Sequence, residues 1–77
     1  MSTDNELDYD AKYVGRYITK LRQARNMSMY ELALNAGISR AVLMRTEKGE
    51  REPRLNTVFR IIDGLNMRPA EFFRKLL

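Results

Sequence analysis

There is no cysteine and no histidine among the 77 residues. Without cysteine no disulfide can staple the chain. Without either residue the usual zinc ligand sets are unavailable. No apolar run approaches the roughly 20 residues that a membrane span needs. The acidic, polar start from Met1 to Asp10 lacks the features of a secretory signal. A glycine-rich phosphate loop is missing too, and a chain this short has little room for a sizeable pocket. No catalytic residue, cofactor or metal is therefore expected. The reading is of a soluble, cytoplasmic, single-domain chain that depends on one hydrophobic core. At this size only about 60–65% of the unfolded surface is buried, so the stability margin is thin and a partner chain would help.

The charge that is present is uneven. The net value is +4, yet Asp4, Glu6, Asp8 and Asp10 place four negative charges in the first ten residues. The other 67 residues hold all 14 basic groups against six acidic ones, a net +8. Such a balance favours nucleic acid or an anionic membrane, or serves only to keep the domain soluble. Residues 1–9 read as an acidic flexible N-terminal arm and residues 10–77 as the folded domain.

From Asp10 the pattern is helical throughout, with no sustained period-2 alternation. Val14, Ile18 and Leu21 repeat at i, i+4, i+7, with Lys12, Arg16, Lys20 and Arg22 between them. Asn26 suits the left-handed residue that ends this first helix. Ser28-Met29-Tyr30-Glu31 is a capping box opening a second helix with Leu32, Ala33 and Ala36 inside and Gly37 at its end. Ser39 caps a third, about Arg40 to Lys48, stopped by Gly49. A loop through Pro53 leads to a fourth, about Leu55 to Gly64, with Leu55, Val58, Ile61, Ile62 and Leu65 inward. Pro69 opens a fifth that carries Phe72, Phe73, Leu76 and Leu77. Tyr9, Tyr13 and Tyr17, spaced by four, read as an aromatic stripe packing on the fifth helix. A stacking platform for single-stranded nucleic acid would need basic side chains interleaved with all three rings.

Ser28 to Gly49, SMYELALNAGISRAVLMRTEKG, carries the most information. Two short helices are joined by Asn35-Ala36-Gly37-Ile38-Ser39. Ala33 sits where they cross, Gly37 makes the turn and Ile38 fills the gap behind it. This is the spacing of a helix-turn-helix. Leu21-Arg22, Arg25, Ser28, Glu31-Leu32-Ala33, Ala36-Gly37-Ile38-Ser39, Glu47-Lys48-Gly49 and Pro53 follow one another in the order of a family pattern. Leu65-Asn66-Met67 and Pro69-Ala70-Glu71-Phe72-Phe73 complete it. Over about residues 12–74 the chain resembles the Cro/CI-type, or XRE-like, helix-turn-helix family. Its size is similar to that of small stand-alone phage repressors and restriction–modification controller proteins.

The resemblance implies an all-α, five-helix, lambda-repressor-like domain whose third helix enters the major groove. On a 100° wheel Arg40, Ala41, Met44 and Arg45 share one arc and become the base-reading residues. Leu43, Thr46 and Val42 turn to the core. Arginine bonds guanine O6 and N7, while Ala41 and Met44 suit thymine methyl groups. Arg40, at the helix start, has phosphate as its alternative partner. Ser28, Met29, Tyr30, Ser39, Arg51 and Arg54 are assigned to phosphates, around the free amides of the second helix. The family usually has glutamine at Met29 and often a serine cap at Arg54, so the glutamine brace and the fourth-helix cap are expected to be missing. Arg22 and Glu47 are implied to be a structural ion pair.

A single module reads few base pairs. Double-stranded DNA and a second copy are the expected partners, giving a homodimeric regulator, repressor or autoregulator, on a pseudo-palindromic operator. Phe73, Leu76 and Leu77, with the end of the fourth helix, are assigned to dimerisation. The competing arrangement has Phe72 and Leu76 closing the monomer core; Phe72 is expected to do so, with Phe73 or Leu77 at the dimer contact. The alternative function is an antitoxin-type module that binds a protein partner through the acidic arm as well as its own promoter.

Overall fold

The computed structural model describes residues 10–77. The acidic arm and Tyr9 lie outside the described residues. Five helices follow one another: α1 (Ala11–Ala24), α2 (Met29–Ala36), α3 (Arg40–Lys48), α4 (Leu55–Gly64) and α5 (Pro69–Leu76). There is no strand among the described residues. Four of the five helices begin where their sequence provides a start. The carboxylate of Asp10 accepts from the Tyr13 amide at 2.8 Å and opens α1. Ser28 and Ser39 do the same for α2 and α3. Proline opens α5, where its missing N–H has no intrahelical partner to lose.

The first four helices also stop in one way. One or two residues past the helix end the chain takes a left-handed conformation, and the next residue donates back to the carbonyl five positions earlier. Gly37 and Gly49 do this at φ 70° and 71°, Asn26 and Asn66 at 54° and 61°. The closing amides are Met27 to Arg22, Ile38 to Ala33, Glu50 to Arg45 and Met67 to Ile62, all at 3.0–3.1 Å. Glycine and asparagine are the residues that tolerate this geometry, so four short links become four sharp corners.

The corners fold the helices around one core. Ile18, Leu32, Leu43, Ile61, Ile62, Leu65 and Phe72 are fully buried in it. Helix α2 packs on α4 and α1 on α3. Two glycines set how close those pairs come. A Cβ on Gly15 would lie 2.5 Å from the carbonyl oxygens of Thr46 and Glu47, and one on Gly64 would lie 2.9 Å from the Ala36 amide. Tyr13 and Tyr17 stitch α1 to α5 by donating to the carbonyls of Leu76 (2.8 Å) and Phe72 (2.6 Å). Tyr17 packs against the core while Tyr13 stays at the surface, and both join α1 to α5, as expected of the aromatic stripe.

Three expectations need correction. Leu55 is 67% exposed: it opens α4 beyond the edge of the core, and the buried stripe starts at Val58. Val42 lies at the surface, beside Pro53 and Thr57, while Leu43 and Thr46 take the inward arc of α3. Leu76, assigned to dimerisation, packs into the monomer core between α1 and α5, where its backbone also receives Tyr13.

Candidate nucleic-acid interface

Helix α3 is anchored by one side and bare on the other. Leu43, Thr46 and Glu47 are buried; Arg40, Ala41, Met44 and Arg45 are exposed. Neither Arg40 nor Arg45 has an ion-pair partner among the described residues. The four residues therefore share one solvent-facing arc, and both guanidinium groups keep their donors for an external acceptor.

The anchor is a buried network. Glu47 accepts from Arg22 Nε at 2.7 Å and from Arg22 Nη2 at 3.0 Å, a bidentate pair. Arg22 Nη1 donates at 2.9 Å to the carbonyl of Met27, the residue before the α2 cap. One guanidinium thus ties α1 to the end of α3 and to the entrance of α2. The carboxylate bonded to it raises the Arg22 pKa, so the cation persists at any ordinary pH. Thr19 Oγ1 lies 3.0 Å from both Glu47 Oε1 and the Gly15 carbonyl. Its single proton favours the carboxylate, the charged acceptor.

At the entrance of α2 the capping box is complete. Ser28 Oγ accepts from the Glu31 amide at 3.0 Å, and Glu31 Oε1 accepts from the Ser28 amide at 2.9 Å. The Ser28 amide is therefore engaged within the chain. The Met29 and Tyr30 amides, in the first turn, have no intrahelical acceptor and remain for an anion. Ser39 Oγ accepts from the Val42 amide at 3.1 Å, which leaves its hydroxyl proton free to donate outward.

Arg51 and Arg54 meet the α3 surface in a cleft of about 340 Å³, lined also by Arg45, Glu52 and Thr57. Arg54 stands at the N-cap of α4 and makes no side-chain cap bond, in line with the missing serine. The phosphate assignment at Met29 rests on its backbone amide alone. Its side chain is half-buried and lines a different concavity with Arg40, Ala41 and Met44. A thioether has no proton to donate, so only the Met29 backbone suits a phosphate.

Sequence reasoning missed Gly15, Thr19 and Arg60. Arg60 Nη1 lies 3.4 Å from the Gly37 carbonyl and steadies the turn of the motif from α4. Thr19 stands three residues before Arg22 on one helix face, and both reach Glu47.

These features match known proteins. The helix-turn-helix family model HTH_3 covers residues 18–72. The chain belongs to the helix-turn-helix family. Members of this family are DNA-binding regulators, not enzymes. The chain is 35% identical over 63 residues to the uncharacterized HTH-type transcriptional regulator Mb0023 of Mycobacterium bovis. That match takes in 82% of this chain but 25% of the relative, so the chain spans about a quarter of its length. The restriction–modification controller protein C.AhdI from Aeromonas hydrophila is 27% identical with a TM-score of 0.76, over 82% of this chain and 96% of that one. The controller protein C.Esp1396I, solved as a tetramer in complex with its natural 35 base-pair operator, superposes with a TM-score of 0.82. At 24% identity over 86% of this chain and 87% of that one, it shares the fold.

Proposed function

We propose that this helix-turn-helix chain binds operator DNA as a homodimer and regulates transcription, as a repressor or autoregulator, in the cytoplasm. The observation that carries the proposal is the unpaired arc of Arg40, Ala41, Met44 and Arg45 on a helix locked from behind by Arg22 and Glu47. With α3 in the major groove, Arg45 and Arg40 address guanine O6 and N7. The first-turn amides of α2, with Tyr30, Ser39, Arg51 and Arg54, hold phosphates and set the register. The operator-bound tetramer of C.Esp1396I supports this use of the fold.

Dimerisation is assigned to α4 and α5. Leu55 and Phe73 border one groove, and Phe59 meets Phe73 edge-to-face with ring centroids 6.0 Å apart. Leu77, at the end of α5, is 76% exposed. Contiguous apolar surface of this kind marks an interface. A two-fold dimer presents two copies of α3 to half-sites roughly 34 Å apart.

Selection of bound duplexes from a random pool tests the proposal. The expected product is a pseudo-palindrome with at least one guanine in each half-site. A pool that emerges with no sequence preference rejects it.

A further inference from the structure

The reading face holds a feature that phosphate binding does not use. Met29, Arg40, Ala41 and Met44 line a concavity of about 260 Å³ between α2 and α3. Met29 comes from the first position of α2 and the other three from the first half of α3. The cup exists because the turn at Gly37 brings those two helix starts together. Ala41 contributes one methyl group and leaves room; Met44 is 39% exposed and forms a wall; Met29 closes the far side while resting on the core. Arg40, with no ion-pair partner among the described residues, is the one charged residue in the lining.

Two thioethers and a methyl group offer no donor to a phosphate oxygen. They do suit an apolar knob, and thioether side chains adjust their shape to what they meet. On the floor of the major groove the apolar group is the methyl on C5 of a pyrimidine. Resting on the assignment of α3 to the major groove, we propose that this cup receives the 5-methyl group of a pyrimidine adjacent to the guanine addressed by Arg40. Met29 is then a specificity-determining residue. The methyl has two sources, thymine and 5-methylcytosine, and the same cup serves either.

The test removes the methyl alone. In the duplex selected above, each thymine in turn is replaced by deoxyuridine, which keeps the same hydrogen-bonding edge. Each cytosine beside a guanine is replaced by 5-methylcytosine. Affinity is read by fluorescence anisotropy. Burial of one methyl corresponds to about a fourfold change in Kd. One thymine per half-site is expected to lose about that factor as deoxyuridine; if cytosine stands there, methylation gains it. In Met44→Ala, and separately in Met29→Ala, the factor shrinks towards one. Selective binding with every methyl change neutral overturns the cup and leaves the regulator proposal standing. A methyl effect undiminished in both variants places the group elsewhere and also overturns it. Failure to prefer any duplex overturns both proposals.

Discussion

Replacing Glu47 by alanine should cost this domain a large part of its stability. The carboxylate faces two donors of Arg22 and the hydroxyl of Thr19, with only 5% of the Glu47 side chain and 13% of the Arg22 side chain exposed. Alanine leaves the guanidinium in place with the Met27 carbonyl as its remaining acceptor. Removing one partner of a buried pair costs about 3–5 kcal/mol. Arg22 retains some access to water, which favours the lower end, about 3 kcal/mol. At about 0.05–0.15 kcal/mol per residue, a chain of 77 residues has about 4–12 kcal/mol in total. The assay is urea unfolding followed by far-ultraviolet circular dichroism at one fixed protein concentration, since the proposed dimerisation makes stability concentration-dependent. With m near ~1 kcal/mol/M the midpoint should fall by about 3 M. The double variant Arg22→Met, Glu47→Leu removes both charges and should recover most of the loss. A Glu47→Ala loss below about 1 kcal/mol, or a double variant no better than the single, would refute the reasoning.

Other perturbations read other parts of the molecule. Gly15→Ala gains about 1 kcal/mol of helix propensity but forces a methyl onto two backbone carbonyls 2.5 Å away. Overpacking costs about 1–3 kcal/mol, so a net loss of up to about 2 kcal/mol is expected in the same urea assay. Arg45→Ala should lose about 1–3 kcal/mol of operator binding and relax preference at one position, whereas Arg51→Ala should weaken all duplexes alike and flatten the salt slope. Phe59→Asp, at an exposed site beside Phe73, should yield a monomer in sedimentation; an unchanged dimer moves the interface off α4. Burial raises the Tyr17 pKa above its ordinary 10.0, and Glu71 adds to the rise. The stability from its bond to Phe72 is then fully present below pH 10 and falls as pH climbs through the raised pKa. Tyr17→Phe should flatten that alkaline loss in thermal melts at pH 9–12.

Much of the architecture was legible because local signals agreed with each other. Ser28 with Glu31, Ser39, Gly37, Gly49 and Pro69 mark helix starts and ends by chemistry that does not depend on distant residues. The outward arc of α3 followed from helical geometry and from Leu43 and Thr46 facing inward. Leu55 and Val42 share one cause: periodicity identifies a face but not how far along it a neighbour extends, and the core stops short of both. Leu76 was given to dimerisation as one of three apolar residues on the last helix, whereas it is 7% exposed and belongs to the buried cluster. Gly15 and Thr19 matter through Glu47, 32 and 28 positions away, a pairing that only the packed chain brings about. The place of Met29 beside Arg40, Ala41 and Met44 was hidden for the same reason, since these neighbours lie across the turn.

The four corners and the Arg22 fork have a consequence for how such a domain changes its target. The buried residues of α3 are Leu43, Thr46 and Glu47, and the outward guanidinium groups form no ion pair among the described residues. Positions 40, 41 and 45 are therefore free to vary with little folding penalty, so under the proposed function a new sequence preference is reachable by single steps that leave the scaffold intact.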